Sequence, residues 1–407
     1  MKIAIIGGGL TGLSAAEILS NNHEITLFEK NSYLGGLASS FEYKGKKIPM
    51  HYHHVFAHDN TTKEYMQKYG LNLTWKKIKM GILVNEKIYN FTNPLALMNF
   101  SYLTLYGRMR YGMFGSYVYT LLNPDNIPED QNAEEWLNQV AGKEVTEKLF
   151  TPLYARNKFN IPLSQISAKQ FANRLTAKEA TGNFGYPTEG LDAIIDAFEE
   201  TLLKNNVKII KNATIQEIDC KNTTIDGEKF DKIVITIPLP SFLKRQKNLD
   251  EEIVSKISKI KYCPCVSVVF GTEKLLSDHY WINILNKRVH MLMQHSYLYD
   301  GYDTKVTWAL RYGGSEEDLE LTDEQIVKEY MNMVTEQFPV EIKWTKVFRE
   351  KYASPIYDKD FHRNMPPKQV NNIYFSGIAV TYPKIRNMNT ALLSGREVAG
   401  LILKDTS

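Results

Sequence analysis

The sequence predicts an α/β protein in which a parallel-sheet domain is interleaved with a mixed sheet and a helical region. Three observations predict it. The chain opens on a β-branched run, Lys2 to Ile6, that stops in glycines and changes to helical spacing at Leu10, Leu13, Ala16, Ile18 and Leu19. Far along the chain, Ile233 to Ile237 is an almost unbroken apolar run, as expected of a strand covered on both faces. Near the C-terminus, Asn372 to Gly377 reads as another strand ending in a glycine, followed by a helix over Thr390 to Leu403.

The opening unit carries the most chemistry. Gly7, Gly9 and Gly12 stand in the G-x-G-x-x-G positions between strand and helix. The first permits a tight turn, the second lets backbone approach a pyrophosphate, and the third lets helix and strand pack closely, while the free N–H groups at the helix start face the phosphates. A second strand, Ile25 to Phe28, ends in Glu29, about 20 residues past the first glycine, where a carboxylate accepts hydrogen bonds from ribose hydroxyls. An acid there favours an unphosphorylated ribose. Gly35-Gly36 follows and lets backbone lie along a dinucleotide that continues inward.

Beyond this unit, Phe41 to Lys47 reads as strand and turn and leads to Met50-His51-Tyr52-His53-His54-Val55-Phe56. Four histidines lie between 51 and 58, but the ligand spacings of familiar metal sites are absent, so no metal is expected. The imidazoles are read either as groups beside a cofactor or anionic substrate, titrating near neutrality, or as hydrogen-bonded structural residues. Thr61 to Tyr69 is expected to be a helix and Met80 to Tyr89 a β-hairpin turning at Asn85-Glu86. Helices are then expected from Asn93-Pro94, over Ala133 to Val140 and over Glu144 to Tyr154. Ser101 to Leu122 is unusually aromatic and carries Arg108 and Arg110. It is read as buried core, with a membrane surface or a hydrophobic substrate channel as the alternatives.

From Gly185 the α/β pattern resumes. Gly185-Tyr186-Pro187-Thr188-Glu189-Gly190-Leu191 precedes an amphipathic helix, Asp192 to Lys204, and strands are expected at Val207 to Ile210, Thr214 to Asp219 and Lys232 to Ile237, with a turn at Asp226-Gly227. Further strands are expected at Val266 to Phe270, Val289 to Met293, Val306 to Leu310 and Trp344 to Phe348, with a helix from Thr322 to Phe338.

Composition narrows the class. The 407 residues are 43% hydrophobic and 23% charged with a net charge of +3, ordinary for a globular protein and no signature of nucleic-acid binding. Cys220, Cys263 and Cys265 are too few for a disulfide framework and suit a reducing compartment. No signal peptide precedes the glycine unit and no apolar run reaches ~18 residues, so a cytoplasmic protein is expected, with peripheral membrane contact as the variant implied by Ser101 to Leu122.

Taken together, the GGGLTG fingerprint, Glu29, Gly35-Gly36, GYPTEGL and the terminal FSG and NMNTALLSGREVAG segments resemble the flavoprotein superfamily of amine oxidases, protoporphyrinogen oxidase and phytoene desaturases, which includes UDP-galactopyranose mutase. The resemblance implies a Rossmann-type FAD-binding domain of the GR2-like flavoprotein fold, at 1–60, 186–261 and 368–407, and a substrate domain at 61–185 and 262–367. It implies FAD held by Gly7, Gly9, Gly12, Glu29 with its neighbour Lys30, Gly35, Gly36 and Leu37. Ile215 is placed at the adenine through its backbone, and Gly377, Asn387 and Met388 by the ribityl chain and ring. It also implies His53 or His54 near the isoalloxazine and Arg156 and Arg174 as anchors for an anionic small-molecule substrate.

HYHHVFAHD, Leu149 to Arg174 and RNMN are similar to UDP-galactopyranose mutase, whose chemistry is not redox overall. Two departures weigh against that branch: Phe159 stands where a tryptophan is expected, and Arg311 has no second arginine beside it in sequence. Gly301 to Asp318 is similar to the protoporphyrinogen-oxidase branch, so hydride transfer from a C–H or C–N bond to flavin N5 is the expected reaction. No second glycine fingerprint for NAD(P)H is present, which directs the electrons to oxygen, a quinone or another carrier. Rab GDP-dissociation inhibitors, which share this architecture without using FAD, supply a non-catalytic alternative.

Overall fold

The computed structural model describes residues 1–90, 96, 98–177, 182–312 and 317–405. The helix expected from Asn93-Pro94 and part of the Gly301 to Asp318 segment lie outside the described residues.

Two sheets organise the molecule. The first has six strands in the order Lys208–Ile210, Glu24–Phe28, Lys2–Ile6, Lys232–Ile235, Ile373–Phe375 and Gln369–Val370. All its neighbours are parallel except the last pair. Lys2–Ile6 lies near the middle, and its partner Lys232–Ile235 is buried throughout, which accounts for the unbroken apolar run there. The helix Leu10–Leu19 packs on the terminal helix Met388–Lys404 at Gly395, where an added Cβ would lie 2.4 Å from the Thr11 carbonyl oxygen. Only a glycine permits that approach. Ser14 Oγ fixes the pair by donating to the Leu392 carbonyl at 2.9 Å.

The second sheet has seven strands, Trp344–Pro355, Tyr262–Thr272, Lys305–Tyr312, Met291–Gln294, Trp281–Ile284, Met80–Val84 and Lys87–Asn90, in that order. Its hairpin turns at Asn85 and Glu86 with φ of 50° and 60°, the left-handed pair that matches strand twist in a two-residue turn. The helix Asp323–Gln337 covers one face and starts in a capping box of Thr322 and Gln325. A separate helical layer holds Phe114, Trp136, Phe150 and Phe171 in its own apolar core.

Two expectations change in detail, and several elements were not expected. Thr214 to Asp219 is a strand only at Ile218–Asp219, because the Asp226 carboxylate takes the N–H groups of Gln216 and Glu217 at 3.0 and 2.7 Å. The helix expected over Glu144 to Tyr154 becomes a π-helix, Thr146–Phe159, with Pro152 inside it. A proline lacks the N–H and crowds the carbonyl four residues back, so the wider turn accommodates it. The helix Ala168–Thr176 and the strands Leu73–Lys77, Asn183–Pro187 and Trp281–Ile284 were not expected from the sequence.

Candidate functional site

The glycine cradle is built by backbone contact. Gly7 adopts φ +112° and donates its N–H to the Phe28 carbonyl at 2.8 Å, joining the ends of the first two strands. A Cβ on Gly12 would lie 1.9 Å from the Gly7 carbonyl oxygen, so the helix rests directly on the turn. Gly35 donates to the Gly8 carbonyl at 2.8 Å and pairs with Gly9, bringing Gly36 and the half-buried Leu37 alongside the fingerprint. Gly9, the N-cap of Leu10–Leu19, has no side-chain cap, and its absent Cβ would meet only Gly36 Cα, at 3.9 Å. This leaves an open, glycine-walled groove at the positive end of a helix, the form a pyrophosphate requires.

Glu29 is buried, and its carboxylate accepts the N–H groups of Gly8 at 2.7 Å and Asn31 at 2.9 Å. A carboxylate has about four acceptor positions, so capacity for ribose hydroxyls remains. Lys30 beside it is exposed. Ile215 lies close by, since Ala213 donates to the Glu29 carbonyl at 2.8 Å, but its own carbonyl already accepts Arg245 Nε at 2.9 Å. Gly377, at φ +106°, borders Thr236 and Thr11 and donates to Ser394 Oγ at 2.8 Å. These residues fit a dinucleotide.

The terminal helix reaches the histidines. Asn387 caps it through Oδ1 to the Thr390 N–H at 2.9 Å, while its Nδ2 donates to Asp59 Oδ1 at 3.1 Å. Asn389 Oδ1 accepts the Thr62 N–H at 3.1 Å. Met388 shares one buried cluster with Phe56, Phe184, Tyr280 and Trp281. His54 is set among these rings, stacked on Phe184 at 4.3 Å and edge-on to Phe56 at 4.8 Å, with Nδ1 3.0 Å from the Tyr280 hydroxyl. His53 Nδ1 lies 3.0 Å from the His51 carbonyl, which selects the tautomer that donates from Nδ1.

His51, His53 and His54 do not titrate near neutrality. Burial holds His51 and His53 down at about 4 and His54 at about 3, the last lowered further by His53 and the cations Arg174 and Lys158. Desolvation penalises the charged form, so these rings are neutral and apolar in effect. His295, buried behind His53, follows the same pattern at about 3. Its Nε2 lies 3.1 Å from the Tyr302 hydroxyl, and its Nδ1 has no partner among the described residues.

Of the two expected anchors, the structure brings only Arg174 into electrostatic reach of His54. Arg156 is exposed and reaches Asn286 Oδ1 at 3.4 Å, because the π-helix turns it outward while Lys158, two residues on, lies 5.8 Å over the Trp281 ring. Arg311 has a second arginine after all: with Arg288 it clamps the buried Asp318 carboxylate, at 2.6 and 2.5 Å, a structural pairing. Phe159 is buried and carries the Arg386 guanidinium 5.0 Å over its ring. A separate open cleft of about 340 Å³ is lined by Phe159, Lys261, Tyr262, Lys351 and Tyr352 among others.

Among the described residues no group of three or more His, Cys, Asp or Glu is placed to hold a metal ion, and no helix is long and apolar enough to cross a membrane. Phe184, Tyr186, Lys158, Trp281 and His295 were missed from the sequence. The signal for the first two was their alternation on Asn183–Pro187, a run whose glycine and proline mask its strand character.

The profile of the family described as flavin containing amine oxidoreductase matches residues 10–403. An uncharacterised protein of Methanocaldococcus jannaschii is 26% identical over 287 residues, 69% of this chain and 68% of that protein. A zeta-carotene desaturase of Capsicum annuum is 35% identical over 95 residues, 23% of this chain and only 15% of that protein. Among solved structures, a proposed protoporphyrinogen oxidase from Exiguobacterium aligns over 99% of both chains with a TM-score of 0.79 at 18% identity. Reduced UDP-galactopyranose mutase aligns over 99% of this chain and 95% of that one, with a TM-score of 0.80 at 18% identity. At such identities the structures bear on fold alone.

Proposed function

Since this chain belongs to the flavin-containing amine oxidoreductase family, we propose that it takes hydride from a carbon of a largely apolar substrate that is neutral or bears an anionic group. It is an FAD-dependent oxidoreductase, and the non-catalytic reading is set aside. When bound, FAD would supply the two-electron acceptor for that hydride, with dioxygen, a quinone or another carrier as the final acceptor.

The observation that carries the proposal is the character of the cluster around the half-buried His54. Its neighbours are the rings of Phe56, Phe184, Tyr280 and Trp281 and neutral imidazoles, and the charges acting on His54 are the cations Lys158 and Arg174. Such aromatic surroundings exclude water and favour an apolar substrate body. Arg174 and Lys158 favour a carboxylate or phosphate and oppose a protonated amine. Oxidation at a C–H bond therefore fits better than oxidation at the C–N bond of a cationic amine. Tyr280 and His54 form a hydrogen-bonded pair that fixes the ring, and the imidazole, held down at about 3, acts as a neutral hydrogen-bonding group and not as a base.

The same cations suit a nucleotide diphosphate, which keeps the mutase-like reaction as the second reading. One experiment separates them. The purified protein is reduced anaerobically with dithionite and air is readmitted, with visible absorption followed throughout. Reoxidation within seconds, or on adding a quinone, is expected, and substrate screening then starts with apolar acids and neutral polyenes. A reduced flavin that persists in air and with quinones, together with turnover of a nucleotide sugar, would overturn the proposal. Arg174→Met should raise KM for an anionic substrate and leave flavin content unchanged.

A further inference from the structure

The helix Leu105–Thr120 carries a second surface that the flavin chemistry does not use. Of the eleven large hydrophobic side chains exposed among the described residues, seven fall between 98 and 121: Met98, Leu105, Tyr106, Met109, Met113, Tyr119 and Leu121. The helix is not short of a buried side, since Gly107, Phe114 and Val118 face the protein and Phe114 packs edge-on to Trp136 and Phe150. Its outer side is as apolar as its inner one. A surface helix normally presents polar residues there, and one that is apolar all round needs a second covering.

The arrangement of charge says what covers it. At about 100° per residue, Leu105, Met109, Met113 and Tyr106 fall within one arc of roughly 100°, opposite the buried arc, and Arg108 and Arg110 flank that arc on its two sides. Between Met98 and Pro124 these arginines are the only charged residues. Each gives one donor to a backbone carbonyl, Arg108 to Met98 and Arg110 to Gln139, and a guanidinium has further N–H groups for phosphate oxygens. The helix is about 24 Å long, too short to cross a bilayer and long enough to lie in its interface. The N-terminus is fixed by Thr104, which caps Gly107 at 3.1 Å and gives its own N–H to Glu144 at 2.9 Å, so the face is rigid before it docks.

We infer that the face of Leu105, Tyr106, Met109 and Met113 docks on an anionic lipid surface, with Arg108 and Arg110 at the headgroups and the helix lying parallel to the membrane. The sequence reading of this segment as buried core holds for its inner side only.

The test uses the flavin-loaded protein and vesicles of phosphatidylcholine with and without phosphatidylglycerol, followed by co-sedimentation and size-exclusion chromatography. The expected result is binding to the anionic vesicles, weakened by salt. The double variant Met109→Glu and Met113→Glu should bind about tenfold more weakly or worse while keeping its flavin absorbance and melting temperature. Absence of wild-type binding, or equal binding by the variant, would overturn the inference. So would a wild-type dimer that the variant dissolves without any vesicle binding, which would assign the face to a second copy of this chain.

Discussion

Around Gly7, Gly9 and Gly12 the chain is held by contacts in which backbone is the partner, whereas around His54 it is held by rings delivered from distant segments. Phe56 comes from residues next to the histidines, Phe184 from a strand pairing with them, and Tyr280 and Trp281 from the seven-stranded sheet. The first region tolerates one residue type at each position and shows in sequence as spacing. The second is specified by the sum of its neighbours. Backbone constraint makes a site legible, and converging side chains make it selective.

The sharpest way to break the cradle is Gly12→Val, which forces a Cβ onto the Gly7 carbonyl, 1.9 Å away. Because neither backbone can yield, a loss of about 3 kcal/mol or more is expected, seen as purified protein without flavin and with a lowered melting temperature. A properly folded, yellow variant would show that the turn is less tightly packed than the structure has it.

Next in size is Glu29→Gln, which keeps the shape and removes the charge. A charge-assisted hydrogen bond contributes about 2 kcal/mol, so flavin affinity should fall roughly thirtyfold in titrations of the apoprotein. If the affinity is unchanged, the carboxylate serves Gly8 and Asn31 alone.

The aromatic cluster is probed through acid. His51, His53 and His54 are held at about 4, 4 and 3 in the folded state by burial, while the unfolded chain protonates near 6.5. The unfolded state therefore binds more protons across that interval. Stability contributed by the neutral rings is complete above about 6.5 and is lost as the pH falls towards 4. Melting temperature should decline over this window, and His54→Phe should flatten the decline. An unchanged slope would mean that His54 is solvated.

The smallest effect expected is that of Arg156→Ala. Its side chain is exposed and its bond to Asn286 is 3.4 Å long, so stability should shift by no more than about 0.5 kcal/mol. Substrate KM should not change either, in contrast with Arg174→Met.

How far the sequence is legible follows the same division. Lys2 to Ile6, the Asn85-Glu86 turn and the helix Asp192–Lys204 read correctly, because glycine placement, turn chemistry and apolar period are local properties. Asn183–Pro187 did not, since its glycine and proline mimic a turn until pairing on both sides makes it a strand. The titration of the histidines could not be read either. Four imidazoles in eight residues suggest a site active at neutral pH, and only the folded structure shows burial lowering His51, His53 and His54. Arg156 and Arg174 look equivalent in sequence. The π-helix and the helix that follows it send them to different surroundings.

The order of strands in the six-stranded sheet also bears on how the protein matures. Lys2–Ile6 borders Lys232–Ile235, which in turn borders Ile373–Phe375, and Gly395 closes on Thr11. Residues 2–6 thus wait for residues 373–395 before their sheet is whole. A chain halted before Ile373 leaves Lys232–Ile235 as an open parallel edge and lacks Gly377 and Met388. During cell-free synthesis, flavin uptake should begin only once chains extend past Gly395.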